Sequence, residues 1–346
     1  MTVERLGFFT RLLDQADAGE RYRLATEQIV WAERYGFDSA WVAQHHFDAD
    51  EGGLPAPLVF LAQVAARTSR IRLGTGIITL PMENPIRVAE DAAVLDLLSG
   101  GRLDIGLGTG GTASAFAAFG LDSDKRSEIF GRHLATLLDA WRGRSLTGDD
   151  GAIVYPKAEH LLDRIWQATF SAVGAARAGK SGDGVMLSRT QPRPADAPDA
   201  SLADIQNPII DAYLAALPPG RLPRIVGSRS VFIADDRAEA RRYADIGLRR
   251  LALRFAKLGL PVPGDSLDDL IKGMDVHLGT PDDVIASLKA DSTLSRVTDL
   301  VFQVHSVDPP HPLILRSIEL AATVVAPALG WRNGAAETTK RLAAAH

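Results

Sequence analysis

Two adjacent histidines, His45 and His46, stand just beyond a short apolar run, Ser39-Ala40-Trp41-Val42. Histidine titrates near neutrality, so one placed at the exit of a strand can give or take a proton in a reaction. Structural histidines and a metal pair are the rival readings. Neighbouring side chains on extended chain point to opposite sides, which disfavours one shared ion. Apart from His305, no Asp/His cluster recurs at the other expected strand ends, so no metal site is expected.

Two glycine motifs suggest phosphate chemistry and then lose the claim on context. Gly174-Ala175-Ala176-Arg177-Ala178-Gly179-Lys180-Ser181 matches the spelling of a P-loop. That motif works only after a strand and before a helix starting at its Lys-Ser. Here the interior is a good helix former and a strand follows, so the match reads as accidental. Gly106-Leu107-Gly108-Thr109-Gly110-Gly111 invites a dinucleotide reading, but its third glycine is one place early. It reads better as the exit loop of a fourth strand.

The elements that would hold these residues alternate. Strands are expected at Leu6–Phe9, Ser39–Val42, Ile71–Thr79, Leu103–Leu107, Ile165–Phe170, Gly184–Leu187, Arg224–Ala234 and Thr298–His305. Helical spacing falls at Glu20–Tyr35, Leu58–Thr68, Arg87–Leu98, Glu128–Trp141, Ala172–Gly179, Ile209–Leu217, Arg237–Phe255 and Leu313–Val325. Repeated strand–helix units imply parallel strands joined by crossovers. Eight of them predict an α/β fold, a (β/α)8 TIM barrel with loop insertions on the C-terminal face, formed by residues 1–346 as a single domain. A Pro- and Asp-rich loop at about 190–204 follows a strand, and lid or tolerated surface insertion are both open for it. A second insertion runs over about 258–278, before the helix start Thr280-Pro281-Asp282-Asp283.

Composition narrows the function classes. Of 346 residues, 46% are hydrophobic and 23% charged, and the net charge of −5 argues against a nucleic-acid surface. With no cysteine there is no disulfide, thiolate metal site or cysteine nucleophile. No run approaches the roughly 20 apolar residues of a membrane span, and the first ten residues do not make a signal peptide. The expectation is a cytoplasmic protein.

Several blocks, in order, carry a family resemblance. Gly36-Phe37-Asp38-Ser39-Ala40-Trp41 with His45-His46-Phe47 is similar to the second-strand signature of the bacterial luciferase-like flavin monooxygenases. Arg72-Leu73-Gly74-Thr75-Gly76-Ile77-Ile78-Thr79-Leu80-Pro81, Asn84 to Asp91, Leu95 to Arg102 and Gly106-Leu107-Gly108 continue it, and Leu278 to Val284 resembles the family near the C-terminus. Residues 145 to 275 match only loosely.

The resemblance implies reduced FMN bound as a substrate, reaction with O2 to a C4a-hydroperoxide, and oxygenation of a small organic molecule. It implies His45 as the catalytic histidine. It places Gly76 and Ile77 under the flavin ring by close backbone approach, one route being a non-proline cis bond; a simple bulge at Gly76 is the alternative. Ser171 and Gly174, at the start of a helix, correspond to the phosphate turn, where free amides and the dipole favour an anion. Phe170 replaces an acid of the luciferases. Thr109 stands where they carry a phosphate arginine, and Gly108 where they carry a cysteine, a loss expected to open space beside the flavin. Arg189, after the sixth strand, is the candidate replacement cation, against an ordinary loop charge. The implied partners are a separate flavin reductase and a second copy of the chain, pairing through helices rich in small residues (Ala62, Val64, Ala65, Ala66; Ala89, Ala92, Ala93, Val94). Two rival functions remain: an F420-dependent hydride-transfer oxidoreductase, and a flavin-binding or storage protein without catalysis.

Overall fold

The computed structural model describes residues 5–149, 151–194, 196–257, 259–304 and 309–331. The first half alternates β1 (Arg5–Thr10), α1 (Ala18–Arg34), β2 (Ser39–Val42), α2 (Pro57–Ala65), β3 (Arg72–Thr75), β4 (Ile78–Thr79), α3 (Pro85–Ser99), β5 (Leu103–Gly108), α4 (Ala113–Ala118) and α5 (Arg126–Trp141). It continues through β6 (Ile165–Ala168), α6 (Ala172–Ser181), β7 (Gly184–Leu187), α7 (Leu202–Ala216), β8 (Ile225–Ile233) and α8 (Arg237–Lys257). It ends with α9 (Leu267–Gly273), β9 (Val276–Gly279), α10 (Pro281–Lys289), β10 (Asp299–Gln303), α11 (His311–Leu320) and α12 (Ala326–Ala328).

Eight parallel strands close into a barrel in the order β1, β2, β3, β5, β6, β7, β8, β10, and β10 pairs back with β1. Two short strands are additions: β4 extends the β3 path along β5, and β9 pairs with the far half of β8. The expected (β/α)8 barrel is therefore present.

Its interior floor is built from two tryptophans. Trp41 and Trp166 meet edge to face at 5.8 Å, and both are buried. Each lies over a glycine of the next strand, because Trp41 is in register with Gly74 and Trp166 with Gly184. A Cβ on either glycine would fall 2.2 Å from the indole, so the large ring needs the missing side chain. Phe9, Ala43, Met186, Val226 and Val301 complete this inner cluster, and the outer core lies between strands and helices.

The end of the barrel at the strand N-termini is held by ion pairs, Arg5 with Asp299 at 2.7 Å and Arg72 with Asp104 at 2.6 Å. The opposite end, where the chain leaves each strand, carries the long loops and the candidate chemistry.

Several boundaries differ from the sequence expectation. The Ile71–Thr79 run is two strands, separated at Gly76–Ile77 by a cis peptide bond, and it is not a simple bulge. The loop expected over 190–204 ends at Ser201, which caps α7 in a reciprocal box with Asp204. The helix expected from Ile209 therefore begins earlier, and Pro208 sits inside it, after the cap has begun the helix. The 258–278 insertion folds in part into α9, capped by Ser266 and Asp269, and into most of β9. The final helix starts at His311 and passes into a π-turn at Ala321–Val325. His305 lies outside the described residues.

Candidate active site

His45 follows β2 by three residues, and its place is fixed from both sides. Its backbone N–H donates to the Leu54 carbonyl at 2.9 Å. The preceding Gln44 ties this loop to the neighbouring strand: its Oε1 accepts from Thr79 N at 2.7 Å, and its Nε2 donates to Glu83 at 2.6 Å and to the Pro55 carbonyl at 3.1 Å. Gly52 faces the imidazole so closely that a Cβ there would sit 2.4 Å from Cδ2 of His45.

The two histidines go to different neighbours, as alternation requires. His45 turns Nδ1 toward Glu51 Oε1 at 3.5 Å. His46 packs edge-on against Phe119, with ring centres 5.0 Å apart, and is half-buried beside Phe47. Burial pushes the His45 pKa below its ordinary value; Glu51 opposes that, while Arg11 and Arg189 reinforce it. His45 is thus neutral at physiological pH, with a carboxylate at Nδ1. Among the described residues no group of three or more His, Cys, Asp or Glu could hold a metal ion.

Glu51 is a hub that sequence reasoning missed. Its Oε1 accepts the Thr112 hydroxyl at 3.1 Å, and its carbonyl accepts from the Arg11 guanidinium. Arg254, from α8, reaches across to Asp48 at 2.8 Å and to Glu51 Oε2 at 3.7 Å. The donation from His45, more than any other contact, keeps the Glu51 carboxyl below the usual range. Its place in the loop after β2 was the available signal. Arg11 had one too, since it leaves β1 on the same face, but one arginine at a strand end is not distinctive.

The expected flavin-ring residues sit at the barrel mouth. Gly76 donates its N–H to the Val42 carbonyl at 2.8 Å, and a Cβ on it would lie 2.8 Å from the Phe9 ring. Gly108 faces Ile77, whose Cδ1 and Cγ1 would be 2.9 Å from a Cβ there. The room left by a missing side chain at 108 is therefore taken by Ile77, which corrects the expectation of open space at this point. Thr109 is half-buried, and its hydroxyl stays local, 3.4 Å from the Gly110 carbonyl.

The start of α6 is formed as expected, with one difference. Ser171 is the N-cap and accepts from Gly174 N at 3.2 Å. The space beside Gly174 is filled by the Thr169 hydroxyl, 2.1 Å from where a Cβ would stand, so this glycine makes room for protein rather than leaving an open approach. Phe170 and Val173 are exposed here.

Arg189 is buried, and its guanidinium carbon lies 6.0 Å from the Phe9 ring centre. Burial and the Arg11 charge push its pKa down to about 9, and its own charge acts on His45. The structure brings Arg189 together with Arg11, Phe9 and His45, while Ser171 and Gly174 belong to the α6 start.

Residues 6–293 match the family model described as luciferase-like monooxygenase. The chain belongs to this family. Among luciferase-like relatives, 4-hydroxyprotoasukamycin monooxygenase of Streptomyces nodosus subsp. asukaensis is 31% identical over 257 residues, covering 69% of this chain and 67% of the relative. Limonene 1,2-monooxygenase of Rhodococcus erythropolis is 30% identical over 51% of this chain and 47% of its own. An uncharacterised protein of Sinorhizobium fredii is 33% identical, and the chain spans about half of its length, 49%. Among solved structures, the monooxygenase RslO1 of Streptomyces bottropensis superposes with a TM-score of 0.75 at 26% identity, over 92% of this chain and 97% of that one. The F420-dependent tetrahydromethanopterin reductase of Methanopyrus kandleri shares the fold with a TM-score of 0.68 at 19% identity, over 95% of this chain and 100% of that one.

Proposed function

We propose that this luciferase-like protein is an FMN-dependent monooxygenase that receives reduced flavin from a separate reductase and uses O2 to oxygenate a small organic substrate. The observation that carries the reading is His45 at the barrel mouth, buried enough to stay neutral and faced by Glu51. A neutral imidazole there can accept a proton at Nε2 while Glu51 steadies the Nδ1 side.

The residues present fit FMN. Gly76, Ile77 and Gly108 would support the ring where Phe9 and Met186 form an apolar floor. The first turn of α6, which Ser171 and Gly174 shape through their cap hydrogen bond, would offer its other amides and its dipole to the phosphate. Thr109 borders the same mouth, and Arg189 or the helix amides would supply the charge complement. The flavin supplies the oxygen chemistry when bound; the chain holds it, excludes water and manages the proton at His45.

We also infer one domain spanning the chain and a homodimer. Helices α2 and α3 pack on each other and leave Val59, Val94, Leu97 and Leu98 exposed, an apolar face suited to a second copy. A reductase as partner is supported by a relative named as the oxygenase component of a flavin-dependent trigonelline monooxygenase. Among the described residues no helix is long and apolar enough to cross a membrane, in keeping with a cytoplasmic place of work.

Anaerobic titration with reduced FMN, with reduced F420 in parallel, tests the reading. Tight binding of reduced FMN, followed by O2 consumption that His45→Ala alters, is the expected result. Binding of reduced F420 alone would move the protein to hydride transfer, and binding of neither would leave the barrel without the proposed chemistry.

A further inference from the structure

Gln303 is the last residue of β10, at the end of the barrel that carries the candidate chemistry. Its parity is that of Val301, which lies in the inner cluster, so its side chain is directed into the barrel. On one side it is in register with Phe9 of β1, and on the other with Ser230 of β8. Gln303 therefore borders the floor formed by Phe9, whose ring reaches the other way to Gly76. Gly76, Phe9 and Gln303 lie along the wall that runs from β3 through β2 and β1 to β10, three strand spacings or about 14 Å.

The amide is fully buried, and neither its Oε1 nor its Nε2 has a hydrogen-bond partner among the described residues. An unpaired amide away from water is costly, and native chains rarely leave one with both ends empty. What completes it follows from its inventory: the oxygen needs a donor and the nitrogen needs an acceptor. The two atoms share one carbon, so a molecule with an N–H beside a C=O satisfies both by a pair of antiparallel hydrogen bonds. A carboxylate lacks the donor, and a lone carbonyl fills only the nitrogen. The pyrimidinedione end of a flavin has this edge, its N3–H standing between two carbonyls.

We propose that Gln303 is a flavin-binding residue, which pairs with N3–H and an adjoining carbonyl of the isoalloxazine ring. The assignment rests on the flavin reading of the barrel mouth. Backbone approach at Gly76 and Ile77 and contact with Phe9 support the ring but leave its rotation in its own plane open. A polar group at the rim of an apolar site fixes that orientation, and Gln303 supplies one. The contact is separate from the phosphate turn at α6. It is therefore common to FMN and F420, which share the pyrimidinedione.

The full chain is titrated calorimetrically, without oxygen, with reduced FMN and with reduced N3-methyl-FMN, which keeps the ring and phosphate and loses the N–H. Expected is a preference of about ten-fold or more for FMN, the worth of one to two buried neutral hydrogen bonds. In Gln303→Met that preference falls to within about two-fold, through weaker binding of FMN, while N3-methyl-FMN binds no worse than to the parent. Without ligand, Gln303→Met melts no lower than the parent, because it removes an amide that has no partner there. A clear fall in melting temperature would make Gln303 part of the fold and overturn its role as a ligand contact. Equal binding of the two flavins by the parent overturns the proposal and leaves the flavin reading standing. So does a preference that Gln303→Met retains, since another group then reads the edge. If neither flavin binds, and reduced F420 binds and is weakened about ten-fold in Gln303→Met, the residue keeps its role and the FMN reading falls. Binding of none of the three overturns both. Gln303→Leu serves if Gln303→Met does not fold.

Discussion

The Nδ1 of His45 lies 3.5 Å from Oε1 of Glu51, and the same carboxylate oxygen accepts the Thr112 hydroxyl at 3.1 Å. Glu51 is itself held by Arg254 of α8, so the orientation of the histidine depends on an element more than 200 residues away in sequence. That makes Glu51 a positioning residue for His45.

Replacing Glu51 by Gln removes the charge that raises the His45 pKa and leaves burial and the arginines, which lower it. The imidazole pKa should fall further below its ordinary value, because the one raising partner is gone. The limb of the pH–rate profile that reports His45 should move to lower pH with it. Histidine NMR titration of parent and variant checks the shift; an unchanged pKa would remove Glu51 from this role.

Gly52→Ala tests the packing side of the same arrangement. The new methyl would lie 2.4 Å from Cδ2 of His45, so the ring must turn or the loop must move. A stability loss of about 1–3 kcal/mol is expected from overpacking. Turnover should fall further, by about ten-fold or more, because a displaced proton-transfer group loses its alignment. Melting temperature and turnover, measured together, separate the two effects.

Asp183 gives a pH-dependent stability effect remote from the site. It is buried, accepts from Gln167 Nε2 at 2.7 Å, and desolvation pushes its pKa from 3.8 up to about 6. Between those values the folded chain keeps a proton that the unfolded chain has released. Its effect is therefore most favourable below about pH 4 and is lost as pH rises through 6. Asp183→Asn should stabilise the protein by about 1–3 kcal/mol at pH 7 and have little effect near pH 4. Urea denaturation at the two pH values reads the difference directly.

Arg229 is a buried charge held by structural partners. It stands on β8, is fully buried, and pairs with Asp291 at 2.6 Å and with Gln206 at 3.0 Å. Asp291→Ala leaves that guanidinium buried with its ion partner gone, and should cost about 3–5 kcal/mol. A melting curve near that of the parent would mean that Gln206 and Thr293 suffice to hold it.

The sequence by itself determined the barrel. Its alternating apolar runs and helical stripes are local patterns, and each strand–helix unit has to pack its apolar face against its neighbours, so their order could be read without coordinates. It also marked His45 as a candidate, because an ordered set of short motifs surrounds it, and it located the start of α6, because Ser171 sits where a cap is needed. The start of α7 was placed too late, at Ile209, because the Ser201–Asp204 box that begins it lies in a Pro- and Asp-rich stretch that reads as loop.

Only the tertiary structure decided who faces whom. Glu51, Arg11, Arg189 and Arg254 come from four separate segments around His45, and nothing in their local spacing links them. Their meeting follows from barrel closure, which sets Phe9 beside Gln303 and carries α8 across the mouth. Likewise, a glycine in sequence says that a side chain is missing, and not what fills the gap. Gly74 and Gly184 admit tryptophans, Gly108 admits Ile77, and Gly174 admits Thr169, because close packing lets the nearest group on an adjoining segment take the space.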